Sequence, residues 1–162
     1  MKIRPATSDD LQQILDIYNY AIAHTTAVYD YVPHTPEMRR QWFTAKQEQG
    51  YPVLVAEENS DVKGFAALGP FRAWAAYKYT VENAVYVKAA EQGKGIGKLL
   101  MQSLISEAER LGFHTIVAGI DAENLPSIRL HERLGFREAA CFKEVGWKFD
   151  RWLDLKFMQL ML

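Results

Sequence analysis

Little in this chain of 162 residues can cross-link, hold a metal or span a bilayer. It has one cysteine, Cys141, so an internal disulfide is excluded and a reducing, cytoplasmic setting is expected. Its histidines, His24, His34, His114 and His131, lack metal-ligand spacing, and with a single thiol no metal is expected. The formal charge of −1 offers no basic excess for nucleic acid or an anionic membrane, so neither is expected as a partner. No apolar run approaches the roughly 20 residues of a membrane-spanning helix, and no basic segment leads into an N-terminal apolar one. Repeats, low-complexity tracts and linkers are missing too, so residues 1–162 are read as one domain.

What is present is ordinary globular material, 49% apolar and 24% charged, with well-marked elements. Lys2–Pro5 predicts a short strand, and Thr7 to Asp10 cap a helix carrying Leu11, Ile14, Leu15, Ile17, Tyr18 and Ile22. Thr35-Pro36-Glu37 opens a second helix that ends near Gly50. Residues 51–57 and 62–68 flank a polar turn and predict an antiparallel hairpin, followed by a loop over 69–78. Strands are expected at 81–87, 114–120, 136–143 and 152–162, with helices near 96–111 and 124–134 and a loop around 146–150. The order predicts an α/β (α+β) fold: a mixed, mostly antiparallel central sheet flanked by helices. Residues 157–162 lose the polar/apolar alternation, so the last strand is expected to be covered on both faces or to join a subunit interface.

The organising stretch is Val81–Leu111. A strand (Val81, Val85, Tyr86, Val87) runs through a glycine-punctuated turn into a helix with Ile96, Leu99, Leu100, Leu104, Ala108 and Leu111 on one face. Gly93, Gly95 and Gly97 leave main-chain N–H groups bare at a helix N-terminus, where unpaired donors and the helix dipole favour an anion, and Lys94 and Lys98 add positive charge. A phosphorylated cofactor fits there. The dinucleotide pattern G-x-G-x-x-G fails, because Lys98 and Leu100 stand where its third glycine belongs. The P-loop also fails, because Gln92 and Leu99 flank Gly97-Lys98 at the wrong places.

The residues instead spell Gln92-x-x-Gly95-x-Gly97 after Val85-Tyr86-Val87. This resembles the acetyl-CoA pyrophosphate loop of the GCN5-related N-acetyltransferases. The likeness extends to a branch of phosphinothricin and methionine sulfoximine N-acetyltransferases through Thr35-Pro36-Glu37, Trp42-Phe43, Thr80-Val81-Glu82, Asn124 to Ser127, Leu130-His131-Glu132, Leu134-Gly135-Phe136 and Val145 to Asp154.

The resemblance implies acetyl-CoA as cosubstrate, held by Val85, Tyr86, Val87, the loop Gln92, Gly93, Lys94, Gly95, Ile96, Gly97 and Lys98, and Asn124 and Ser127 beside the pantetheine arm. Helix capping is the plainer role for the last two. It also implies direct attack by an amine, with a main-chain N–H near Val87 polarising the acetyl carbonyl. Glu82 is the candidate base, directly or through a water, since a charge in an apolar strand has its pKa raised by burial. A water-facing edge glutamate is the alternative. Many relatives place a tyrosine where this chain has His131, which is a candidate acid for the thiolate or a packing residue of its helix.

For the acceptor, Arg72 is the best clamp for a carboxylate or oxyanion-like tail, with Lys78 and Lys148 behind it, and Trp74, Tyr77, Tyr29 and Tyr31 are candidate pocket walls. Asp150 departs from relatives that carry glycine there, which puts the late loop's part in the site in question. A homodimer is the family expectation. Two other readings stay open: acetylation of another amine (a peptide N-terminus, a polyamine, an aminoglycoside), and an acyl-CoA sensor without turnover.

Overall fold

The computed structural model describes residues 1–162. In chain order the elements are β1 (Lys2–Pro5), α1 (Leu11–His24), α2 (Pro36–Glu48), β2 (Val53–Glu58), β3 (Asp61–Pro70), β4 (Thr80–Val87), α3 (Ile96–Arg110), β5 (Thr115–Asp121), α4 (Leu125–Arg133), β6 (Arg137–Lys148) and β7 (Arg151–Met161). One seven-stranded sheet runs β1-β2-β3-β4-β5-β7-β6, antiparallel except for β4 beside β5. That parallel pair needs a crossover, and α3 supplies it.

Apolar residues cover both faces of the sheet. On one face α3 buries Ile96, Leu100, Met101 and Leu104 against Leu54, Ala66, Leu68, Val81 and Ile116. On the other, Ile14 and Ile17 of α1 and Phe43 of α2 pack on Val53, Val55, Phe65 and Ala67. The period of 3.6 in the helices and of 2 in the strands brings these sets together. The start of α2 matches its sequence signature, as Thr35 accepts a hydrogen bond from the Met38 N–H and Pro36 is the first helical residue.

Two expectations change. β4 lies inside the sheet between β3 and β5, so Glu82 is not on an edge strand. The penultimate strand is longer than the sequence indicates, running to Lys148: the loop expected around 146–150 shrinks to the two-residue turn Phe149-Asp150, both with positive φ (52° and 55°). Such primed geometry matches the twist of a tight hairpin, and Asp tolerates it better than Phe. β7 is also internal, paired by β5 on one side and β6 on the other.

Gly64 sets how closely β3 meets β4. A β-carbon there would stand 2.7 Å from the Tyr86 carbonyl oxygen and 3.2 Å from Leu100 Cδ1. Gly64→Ala is therefore expected to lower stability by about 1–3 kcal/mol, read as a lower urea midpoint at unchanged slope. An unchanged midpoint would show that β4 has slack here.

Candidate active site

β4 and β5 stay alongside each other for only three pairs, Thr80↔Thr115, Val81↔Ile116 and Glu82↔Val117. Beyond Glu82 they diverge. The Lys88 N–H donates to the Lys63 carbonyl on β3. Main-chain direction alternates along a strand, so Asn83, Val85 and Val87 turn the other way: the Asn83 N–H belongs to the last pair with β5, and the groups of Val85 and the Val87 N–H face the gap. The result is a continuous cleft of about 1960 Å³, lined from both strands and by α1, α3 and α4. That is larger than the roughly 300–1,000 Å³ of a pocket for a compact ligand. It has room for a long cofactor arm and a small acceptor together.

One end of the cleft is built for an anion. Gly93 and Gly95 have φ of 77° and 83°, and a β-carbon on either would meet nothing. These glycines serve the backbone turn and leave its N–H groups uncovered. Gly95 is the N-cap of α3, and no side chain caps that helix end. Gln92 Nε2 donates to the Val87 carbonyl at 3.3 Å and ties the loop to the strand. Gly97 serves packing, since its β-carbon would fall 3.2 Å from Leu130 Cδ2. Lys98 lines the cleft, whereas Lys94 pairs with Glu91 at 2.8 Å on the outside. Arg129 and Arg133, one helical turn apart on α4, also line it. Neither arginine is among the residues expected from the sequence, although their i, i+4 spacing beside Asn124 is a usable signal.

Asn124 and Ser127 serve the start of α4: Asn124 Oδ1 accepts from the Ser127 N–H at 3.2 Å, and both residues line the cleft. His131 is 1% exposed. Its Nδ1 lies 2.8 Å from the Ser127 carbonyl and must donate; its Nε2 lies 3.1 Å from Asn83 Nδ2 and accepts. Burial pushes its pKa down, with only the Ser127 bond opposing. A neutral imidazole with both nitrogens engaged anchors α4 to β4 and has no proton free for a leaving thiolate.

Glu82 sits at the vertex where the strands part. Burial pushes its pKa up, and Lys46 of α2 pulls it back. Glycines flank it on both neighbouring strands: Gly69 is its register partner on β3, and a β-carbon at Gly119 on β5 would stand 3.2 Å from Glu82 Oε1. Tyr86, on the same face, has its pKa raised by burial.

The acceptor candidates divide. Arg72, Tyr77 and Tyr29 line the cleft, and Tyr29 donates from its hydroxyl to the Asp154 carbonyl at 3.0 Å. Trp74 is 70% exposed and lies outside it. Lys78 also lies outside, with its ammonium over the Tyr79 ring. Tyr31 bonds the Trp147 carbonyl instead of walling the cleft. Lys148 differs most from expectation: it is 4% exposed, and its ammonium donates to the carbonyls of Thr25 and Val28 at 2.7 Å each. It staples the loop after α1 and is not available to clamp a ligand.

The His131 arrangement carries a pH signature. The unfolded chain takes up the proton near pH 6.5, and the folded chain resists it. The stabilising contribution is therefore present above about pH 6.5 and is lost as pH falls. Unfolding free energy is expected to decline on acidification below pH 6.5, with a shallower slope in His131→Gln. Nitrogen chemical shifts are expected to report a neutral Nδ1–H tautomer at pH 7; a charged ring there would refute the anchor.

Known proteins are similar to this chain in sequence and fold. The model of the acetyltransferase (GNAT) family matches residues 11–136. An L-methionine sulfoximine/L-methionine sulfone acetyltransferase of Salmonella typhimurium is 49% identical over all of this chain and 95% of its own length. A phosphinothricin N-acetyltransferase of Streptomyces coelicolor is 38% identical over 98% of this chain and 95% of its own. A GNAT superfamily phosphinothricin acetyltransferase from Sinorhizobium meliloti, solved with acetyl-CoA, superposes with a TM-score of 0.97 at 36% identity, covering 99% of this chain and 88% of the other. Fold, cleft and sequence agree: this chain belongs to the GNAT family of N-acetyltransferases, with acetyl-CoA as cosubstrate.

Proposed function

We propose that this enzyme acetylates the α-amine of small amino-acid-like acceptors such as methionine sulfoximine, methionine sulfone and phosphinothricin. The observation that carries the reading is Glu82, a desolvated carboxylate at the vertex of the cleft with a cationic and aromatic wall beside it. The close relatives named for these acceptors support it.

In this reading Val85, Val87, Gln92, Gly93, Gly95, Ile96, Gly97 and Lys98 hold the cosubstrate along the open edge of β4 and the uncapped end of α3. Asn124, Ser127, Arg129 and Arg133 close its far side. Tyr86 lines the cleft from the face of Glu82 and packs on Tyr18 and Phe65, and Lys94 is left to long-range attraction. Glu82 takes the proton from the acceptor ammonium, directly or through a water, so that the free amine attacks the thioester carbonyl. The N–C bond forms, the C–S bond breaks, and the nitrogen's second proton passes through solvent to the departing sulfur, so that CoA leaves as the thiol. The N–H of Val85 or Val87 faces the gap and is suited to the oxyanion. Arg72 and Tyr77 contact the acceptor, with Tyr29 farther along the wall.

The single free cysteine supports a reducing, cytoplasmic setting, and residues 1–162 serve as one catalytic domain. A homodimer is supported by the apolar side chains that the β6–β7 hairpin leaves exposed, Phe142, Val145, Trp147 and Trp152. Light scattering is expected to give twice the chain mass, and Trp152→Glu to reduce it; a monomer at assay concentration would sink this part.

Glu82→Gln is expected to lower kcat roughly 100- to 10,000-fold, the usual range for a lost general base, with acetyl-CoA affinity kept. In the wild type kcat/KM is expected to fall on the acid side along a limb displaced above the usual glutamate range, because burial raises Glu82. Arg72→Ala is expected to raise acceptor KM with less effect on kcat. CoA release with a panel of amines decides the matter. Turnover confined to polyamines or a peptide would keep the family and remove the acceptor assignment.

A further inference from the structure

Lys46 belongs to none of the groups that the resemblance nominated, yet its ammonium lies in the cleft. Gly69 and Glu82 are antiparallel register partners, so their side-chain positions share one face about 5 Å apart. Gly69 has no side chain, and Lys46 Nζ takes that space: a β-carbon on residue 69 would fall 2.3 Å from it. Residue 69 is not in the left-handed region, so glycine is there for room and not for backbone conformation. Reaching over from α2, the ammonium therefore stands directly across from the candidate base.

Both groups are unusually idle. Neither side chain makes a hydrogen bond or a salt bridge; burial pushes Lys46 down and Glu82 up, and each charge draws the other back. The lysine has one other neighbour of note, the Tyr51 ring, at 5.4 Å. A desolvated ammonium costs stability unless something offsets it. The two charges are near enough to feel each other but do not close into an ion pair.

We propose that Lys46 is a specificity residue that receives the acceptor's α-carboxylate, so that Lys46 and Glu82 together read an α-amino-acid zwitterion. An amino acid carries its ammonium and carboxylate on one carbon. A carboxylate and an ammonium held side by side and unpaired are the electrostatic complement of that pair. A plain amine would leave the lysine without a partner. Arg72, exposed farther out, is then left for the acceptor's side-chain tail. This inference rests on the N-acetylation reading of the cleft.

Steady-state kinetics with methionine sulfone, its methyl ester and 3-(methylsulfonyl)propylamine test it, at a pH above the acid limb. Wild type, Lys46→Met, Lys46→Arg and Gly69→Ala are compared, with acetyl-CoA affinity as the check on folding. Lys46→Met is expected to raise KM for methionine sulfone roughly 10- to 100-fold, the weight of a charge-assisted hydrogen bond, with kcat held and the ester and amine unaffected. Lys46→Arg restores part of the loss. Gly69→Ala keeps the charge but displaces it, and is expected to show the same acceptor-selective rise; it carries the test if Lys46→Met does not fold. An equal loss on all three acceptors, or none, overturns the inference and leaves acetylation intact. A wild type that binds acetyl-CoA but acetylates none of the three overturns the functional reading, and this inference with it.

Discussion

The parting of β4 from β5 is the constraint on which the rest depends. Inside a sheet every main-chain N–H and C=O is normally paired by a neighbouring strand. Here pairing stops after Glu82↔Val117, and the groups of Val85 and the Val87 N–H are left facing a gap. A polar strand edge in the middle of a protein is costly unless something lies along it. The gap thus serves both as the pocket and as one half of a strand pairing that a ligand with amides of its own can complete. It also determines where the chemistry sits, because Glu82 occupies the vertex of the wedge, half withdrawn from water.

The electrostatics follow from that position. Withdrawing Glu82 from water favours its neutral form, while a cation across the strand pair favours the charged one. The balance leaves a carboxylate that ionises later than an exposed glutamate. Glycines on both neighbouring strands make this possible. Gly69 admits the Lys46 ammonium, and Gly119 leaves room for the Glu82 carboxylate. Two other titratable groups near the cleft are tied down by comparison. His131 is locked between Ser127 and Asn83, and Lys148 between the carbonyls of Thr25 and Val28. These two hold α4 and the loop after α1 against the sheet, so the walls of the cleft are fixed while its reactive group is left free.

The anion end obeys a different rule. Gly93 and Gly95 are glycines because their φ is positive, and Gly97 because α4 packs on it. One short loop thus turns the chain, bares the start of α3 and seats that helix beside α4. Because of this overlap of duties, the loop was the most informative stretch of the sequence.

The sequence by itself determined what depends on local pattern. The element order, the two-sided core, the capped starts of α2 and α4, the glycine loop and Glu82 as a charge in an apolar strand all follow from periodicity, turn chemistry and spacing over a few residues. Tertiary structure decided what depends on neighbours distant in the chain. That Glu82 is internal is a fact about β3 and β5, and that Lys148 is spoken for is a fact about residues 120 or more positions away. Lys46 carries no local mark: it is one lysine on a polar helix until Gly69 and Glu82 are paired across two strands. The length of the β6–β7 hairpin was hidden for a related reason, since Phe149-Asp150 is an improbable tight turn on propensity and is imposed by the pairing on both sides of it. Local propensity is written in adjacent residues, but the use of a charged side chain depends on which other charges and spaces the fold brings to it.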